Sequence, residues 1–117
     1  MKHSKLIEEI KAKILGPKYE LSFVFVAKNK IRALNKKFRN KNEPTDILSF
    51  PLSKTSGEIL ICREIAKLKS TDFNMKPQSF LIFLVIHGML HLKGMKHGAK
   101  MEKYELSYYS RYRRRHL

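Results

Sequence analysis

FLIFLVIHGMLHLKGMKH, residues 80–97, joins the most apolar run of the chain, Phe80–Ile86, to a segment that holds three of its five histidines. The apolar stretch extends for about 13 residues before Lys93, whereas a helix needs about 20 residues to cross a bilayer. The stretch also carries two histidines. It therefore predicts a buried core helix that ends in a cluster of imidazole side chains.

His87 and His91 are spaced to lie one turn apart on the same face of this helix, where they can share one ion. On a continuous helix His97 would lie roughly 9 Å further along the axis. That is too far to close a site with zinc–nitrogen bonds of about 2.0–2.1 Å. Gly94 resolves the conflict, because a glycine can take the left-handed conformation that ends a helix. We therefore predict that the chain turns back at Gly94 and brings His97 to the ion.

Three neutral histidines leave the fourth tetrahedral position of zinc for water, whose pKa can then fall to about 7. The sequence thus predicts one Zn²⁺ per chain, bound by His87, His91 and His97. The alternative interpretation is two helix histidines with ordinary partners and one loop histidine near the surface.

The spacing of the three histidines matches the metzincin peptidase pattern H-E-x-x-H-x-x-G-x-x-H at every fixed position except the second. Gly88 stands where that pattern has its glutamate base, which disfavours a peptidase. A glycine inside a helix costs about 0.5–1 kcal/mol relative to alanine. Gly88 therefore predicts either close backbone approach or room for a substrate.

The charge of the chain indicates its partner. Lys and Arg number 25 against 10 Asp and Glu, a net charge of +15. Such an excess favours a polyanion, with nucleic acid as the leading candidate and an anionic membrane surface as the second. The alternative is a soluble protein from a lysine-rich proteome.

Cys62 is the only cysteine, so no intrachain disulfide is expected and a reducing, cytoplasmic setting fits. The charged start of the chain predicts no signal peptide.

Hydrophobic periodicity and turn residues divide the rest of the chain. The predicted elements are helix 3–15, strand 20–27, helix 29–39, strand 45–52, strand 58–62, helix 63–69, helix 78–93 and a basic helical segment 98–117. The short turn between the last two strands predicts that they pair antiparallel. The order predicts one α+β domain, residues 1–117, in which helices cover a small mixed sheet.

Beyond the metal ligands, HGMLHLKGMKH resembles the H-G-x-L-H-L-x-G-x-D-H motif of the YbeY-type ribosomal RNA maturation factors, which are metal-dependent endoribonucleases. Lys96 stands where that family usually has Asp. LNKKFRNKNEPTDILSFP, residues 34–51, resembles the family block L-N-x-x-x-R…P-T-[DN]-V-L-S-F-P, and GEILIC resembles its G-D-I-x-I strand. The resemblance extends from about Asn29 to about Glu105, and the N-terminal part is shorter than in the family.

The resemblance implies a sheet of about four strands with the metal helix packed across it. It implies processing of ribosomal RNA ends, particularly of the small subunit, and a role in ribosome quality control. Single-stranded ribosomal RNA and the ribosome or its proteins would be the partners, with no membrane and no small-molecule cofactor. His87, His91 and His97 would bind the metal, and Arg39 would be the functionally important arginine.

Phosphate chemistry gives Arg39 a role of its own, since a guanidinium can bind two phosphoryl oxygens. Zinc could polarise one oxygen and supply a hydroxide. We therefore predict a zinc-dependent, single-strand-specific endoribonuclease of rRNA maturation, with His87, His91, His97 and Arg39 in its site. Two alternatives are a metallopeptidase-like hydrolase and a ribosome-assembly binding protein with a structural zinc.

Several other residues are candidates with ordinary structural explanations. Asp46, Glu58 and Glu102 are possible bases, although such a carboxylate more often caps a turn. The segment RYRRRHL, residues 111–117, suits stacking and backbone contacts with single-stranded RNA, or is a solvated tail. Lys96 is predicted to point to solvent, because a zinc dication would repel its ammonium.

Overall fold

The computed structural model describes residues 4–115 and 117, and within them the helices and strands follow the predicted order. The elements are α1 Lys5–Ile14, β1 Glu20–Phe25, α2 Lys28–Arg39, β2 Ile47–Ser53, β3 Ser56–Ile61, α3 Arg63–Asp72, α4 Pro77–Leu92 and α5 Ala99–Tyr112. Two predicted positions, His3 in the first helix and His116 in the basic tail, lie outside the described residues. Helix α5 ends at Tyr112, so 113–115 extend beyond it.

The strands form one mixed sheet in the order β1-β3-β2. Strand β1 pairs with β3 in parallel, and β2 pairs with β3 antiparallel, which confirms the predicted antiparallel pair. The resemblance implied about four strands, whereas the described residues form a 3-stranded sheet. The apolar residues ahead of β1, such as Leu6, Ile10 and Ile14, recur with helical period and are buried as one face of α1.

Helices cover both faces of the sheet, because successive side chains of a strand point to opposite sides. One face contributes Phe23, Ile59 and Ile61 to a large core shared with α1, α4 and α5. The other face contributes residues such as Leu48 and Leu60 to a smaller core that includes side chains of α2 and α3. The predicted α+β architecture, with a small mixed sheet under helices, is therefore confirmed.

Helix α4 crosses the first of these faces and is the most buried helix of the fold. It begins with Pro77 in its first turn, where the missing N–H costs nothing. It lies close to the sheet at Gly88, where an added Cβ would lie 2.9 Å from Ile47 Cδ1 and 3.1 Å from Ile59 Cδ1. Close backbone approach is thus the physical reason for Gly88. In the described part of the chain, no helix is both long and apolar enough to span a membrane.

Candidate metal centre

His87 and His91 project from the same side of α4, as their spacing predicted. Their Nε2 atoms lie 3.1 Å apart, and their ring centroids are 4.5 Å apart. Both side chains are only partly buried, although the helix that carries them belongs to the core. The pair therefore sits where the buried helix meets solvent.

The turn after α4 brings the third histidine to this pair. Gly94 has a φ of 102°, and Met95 N–H donates to the Leu90 carbonyl oxygen at 3.0 Å. This left-handed ending reverses the chain, as predicted. The His97 ring centroid then lies 4.7 Å from that of His91, and one ligand atom from each of the three histidines lies within 4.8 Å of the others.

Hydrogen bonds fix the orientation of the first two rings. His87 Nδ1 lies 2.9 Å from Glu105 Oε2, and His91 Nδ1 lies 3.1 Å from the Met95 carbonyl oxygen. Each oxygen accepts from an Nδ1–H, which leaves the two Nε2 lone pairs facing each other. Burial, and then the neighbouring His87 ring, lower the pKa of His91 below its ordinary value. Both effects favour the neutral imidazole that a metal requires.

The cluster fits a small divalent cation. Two nitrogens bonded to one tetrahedral zinc at about 2.0–2.1 Å would lie about 3.3 Å from each other. The observed separation of 3.1 Å between the Nε2 atoms of His87 and His91 is close to this value. Among the described residues, 4–115 and 117, three protein ligands converge, and such an arrangement resembles an open, catalytic site more than a closed, structural one.

Glu105 is a site residue that the sequence interpretation missed. It is 6% exposed on α5, within the face that also buries Met101 and Tyr112. Its helical spacing from Met101 is a signal that could have identified it as buried. Nothing in the sequence identified His87 as its partner, because that contact depends on how α5 packs against α4.

Arg39 occupies a different place from the histidines. It is the last residue of α2, is exposed, and its Nη2 donates to the Ser49 carbonyl oxygen on β2 at 3.4 Å. Among the described contacts, none joins Arg39 to a histidine ring. Strand β2 links the two regions, since Ile47 on the same strand contacts α4 near Gly88. The predicted phosphate-binding role of Arg39 therefore stays a prediction.

Among the remaining candidates, Asp46 and Glu58 have the partners expected of structural residues, and the others differ in their exposure to solvent. Asp46 is 8% exposed and forms an ion pair with Lys69 Nζ at 3.5 Å. Glu58 Oε2 accepts a hydrogen bond from Ser22 at 3.4 Å. Glu102 and Lys96 are exposed, and for Lys96 this agrees with the predicted solvent-facing position. Cys62 is 1% exposed, so its thiol belongs to the core.

The fold and the histidine cluster define an α+β protein with a candidate metal centre at the end of its core helix. The model of one protein family, Endoribonuclease YbeY, matches residues 2–112 of this chain. The chain therefore belongs to the Endoribonuclease YbeY family. This confirms the resemblance inferred from the motifs and extends it towards the N-terminus, well beyond Asn29.

Two relatives carrying the name Endoribonuclease YbeY share over a third of their aligned residues with this chain. The Thermotoga neapolitana protein is 38% identical over 95 residues, which cover 80% of this chain and 63% of that relative. The Borreliella afzelii protein is 40% identical over 91 residues, or 68% of this chain and 60% of the relative. The chain thus spans less than two thirds of the length of these two relatives.

A solved structure supports the same fold. The solution structure of TM1509 from Thermotoga maritima aligns with a TM-score of 0.66 at 28% sequence identity. The alignment covers 91% of this chain and 78% of that protein. The relationship therefore includes nearly the whole α+β domain described above.

Proposed function

We propose that the protein is a metal-dependent endoribonuclease that hydrolyses single-stranded RNA at the histidine cluster. The observation that carries this proposal is the convergence of His87, His91 and His97 on one open site, in a chain whose relatives are named endoribonucleases. The net charge of +15 supports RNA as the substrate, because a polyanion compensates the excess of cations.

Zinc is the proposed metal. Three neutral imidazoles suit it, and when bound it supplies a Lewis acid and a water of lowered pKa. His87 and His91 would bind it through Nε2, and His97 would close the site from the turn. Glu105 holds the His87 ring in the tautomer that keeps Nε2 free.

Arg39 would bind the phosphate to be cleaved. Its guanidinium is exposed and has a fork of donors that matches two phosphoryl oxygens. A carboxylate at position 88 would face the sheet, since an added Cβ there would already lie 2.9 Å from Ile47 Cδ1 and 3.1 Å from Ile59 Cδ1. This packing supports phosphodiester rather than metzincin-type peptide hydrolysis.

The biological reaction we propose is maturation of ribosomal RNA ends, particularly in the small subunit, together with ribosome quality control in the cytoplasm. Ribosomal RNA and ribosomal proteins would be the partners of the single domain, residues 1–117. The support is the family membership and the basic surface of the chain.

The test is cleavage of an end-labelled RNA that contains a single-stranded and a duplex segment. Protein stripped with chelator and reloaded with Zn²⁺ should cut the single-stranded segment, and the stripped protein should not. The His91→Ala protein, purified in the same way, controls for contaminating nucleases, because it keeps the surface charge but loses a ligand. Equal cutting by the parent and the His91→Ala protein would refute the proposal. Binding without cutting would favour an assembly factor with a structural metal.

A further inference from the structure

Three phenylalanine rings are arranged in a row that ends at the metal centre. Phe73 stacks on Phe80 with ring centroids 5.5 Å apart and planes inclined by 19°. Phe80 stacks on Phe83 at 6.2 Å with the same inclination. Phe83 stacks on His87 at 6.2 Å and 26°. The aromatic row thus connects the end of α3 to a metal-site histidine.

The outer ring of the row is accessible to solvent. Phe73 is 64% exposed, whereas Phe80 beneath it is 2% exposed. Helix α3 ends here because Asn74 takes a left-handed conformation, with a φ of 55°, and turns the chain towards α4. Phe73 therefore presents one aromatic face to Phe80 while much of the side chain remains open to solvent.

A groove of about 190 Å³ extends along this row. Phe73 and His87 both line it, and Asp46 and Lys69 lie on its walls as an ion pair. The floor is mostly apolar, and the buried carboxylate of Asp46 would repel a phosphate that entered. The Lys69 ammonium is part of a side chain that is 43% exposed, so it can face a phosphate outside the groove.

We infer that this groove is a subsite in which one base of single-stranded RNA stacks on Phe73, beside the metal centre. The inference rests on the proposed function for the identity of the ligand. Every nucleobase has a π-face, so stacking on an aromatic ring binds single strands without selecting their sequence. Charge decides the orientation: the base enters the aromatic groove, and the sugar–phosphate backbone stays outside, on the side of Lys69.

The surface beyond Phe73 is suited to the part of the RNA strand that continues from the stacked base. Lys76, Arg113 and Arg114 line a neighbouring depression at the start of α4, which also includes Tyr109. Tyr109 in turn contacts Phe83 edge to face, with centroids 6.0 Å apart. A strand whose base occupies the groove would therefore pass from the metal centre towards these cations.

Binding of a fluorescein-labelled short oligouridylate, measured by anisotropy in chelator so that no cleavage occurs, tests the subsite. Stacking on one aromatic side chain typically changes affinity by about five- to a hundredfold. Phe73→Ala should weaken binding by at least about fivefold, and Phe73→Trp should bind as tightly as the parent. Leu68→Ala is the matched control, since Leu68 is 63% exposed on α3 and has no place in the aromatic row. It should bind like the parent.

Oligouridylates with one abasic nucleotide at successive positions separate stacking from a general surface effect. With the parent, one abasic position should weaken binding about as much as Phe73→Ala does. With the Phe73→Ala protein, the same abasic position should cause no further loss. Additive losses, parent-like binding by Phe73→Ala, or no binding of the oligouridylate by the parent would each overturn the inference.

The two proposals can fail separately. The losses from Phe73→Ala and from the abasic position could be non-additive while the parent shows no Zn²⁺-dependent cutting. That result would refute the nuclease proposal and leave the stacking subsite in place. Parent-like binding and cutting by the Phe73→Ala protein would refute the subsite and leave the nuclease. Thermal unfolding of each variant shows whether the fold is intact, which is expected because Phe73 is largely exposed.

Discussion

Helices α4 and α2 lie on opposite faces of the sheet, and each is followed by a left-handed residue, Gly94 in one case and Asn40 in the other. Their environments differ. Eight of the residues of α4 are buried, whereas α2 buries only Ile31 and Asn35. The histidines are on the buried helix and Arg39 is on the exposed one.

The difference in burial explains the difference between the two candidate regions. A polar group beside a core needs a partner, since burying it unpaired costs free energy. His87 and His91 accordingly have fixed acceptors, Glu105 and the Met95 carbonyl oxygen. Arg39 has one long hydrogen bond and remains accessible to a ligand. Substitutions near α4 should therefore change the fold or the metal affinity, and substitutions at the end of α2 should change RNA cleavage alone.

The largest expected effect is on the packing of α4. Gly88→Glu would force a carboxylate against Ile47 and Ile59 and should lower the free energy of unfolding by at least about 3 kcal/mol. Ala33→Glu, at an exposed position of α2, should change it by no more than about 0.5 kcal/mol. Urea denaturation followed by circular dichroism measures both. Similar midpoints for the two variants would contradict the packing of Gly88 on the sheet.

The next effect concerns Arg39. Arg39→Ala should reduce the rate of RNA cleavage by about 10²–10³, because it removes a donor to the charge that develops on the phosphate. Metal content and thermal stability should stay at parent values. Lys36→Ala removes another exposed cation from the last turn of α2 and serves as the control, with a much smaller loss expected. A parent-like rate for Arg39→Ala with equal metal would exclude Arg39 from the site.

A smaller effect is expected at Glu105. Glu105→Gln retains the shape of the side chain but removes the carboxylate that orients His87, and such a change typically weakens metal binding by 10–100-fold. Zn²⁺ affinity, measured by competition with a chromophoric chelator, tests this. Glu102→Gln, an exposed carboxylate on the same helix, should leave the affinity unchanged. If both variants bind Zn²⁺ like the parent, the hydrogen bond to His87 does not support the ligand.

The smallest effect is expected at Lys96, which departs from the family motif and is exposed. Lys96→Asp should leave Zn²⁺ affinity nearly unchanged and should weaken RNA binding. Lys96→Ala should lower the slope of log affinity against log salt by about one, as expected for the loss of one phosphate contact. A tenfold gain in Zn²⁺ affinity for Lys96→Asp would place this residue beside the ligands instead of in solvent.

Local features of the sequence predicted the elements and the histidine cluster. The spacing of His87 and His91 and the glycine at position 94 depend only on helix geometry and on the backbone freedom of glycine. For the same reason the order of helices and strands was predictable from hydrophobic period and turn residues. The pattern of the sequence predicted three strands, and the described residues form a 3-stranded sheet. The figure of about four strands came from the resemblance and differs little from this.

The sequence by itself thus determined that a buried helix ends in three histidines around a left-handed turn, within a basic α+β domain. Only the tertiary structure decided which groups meet across helices: Glu105 with His87, Phe73 with Phe80, and Gly88 with the sheet. The physical reason is the distance along the chain over which each kind of interaction acts. Periodicity and turn conformation are set by neighbours within about one helical turn, whereas partners on different helices are set by how whole faces pack together.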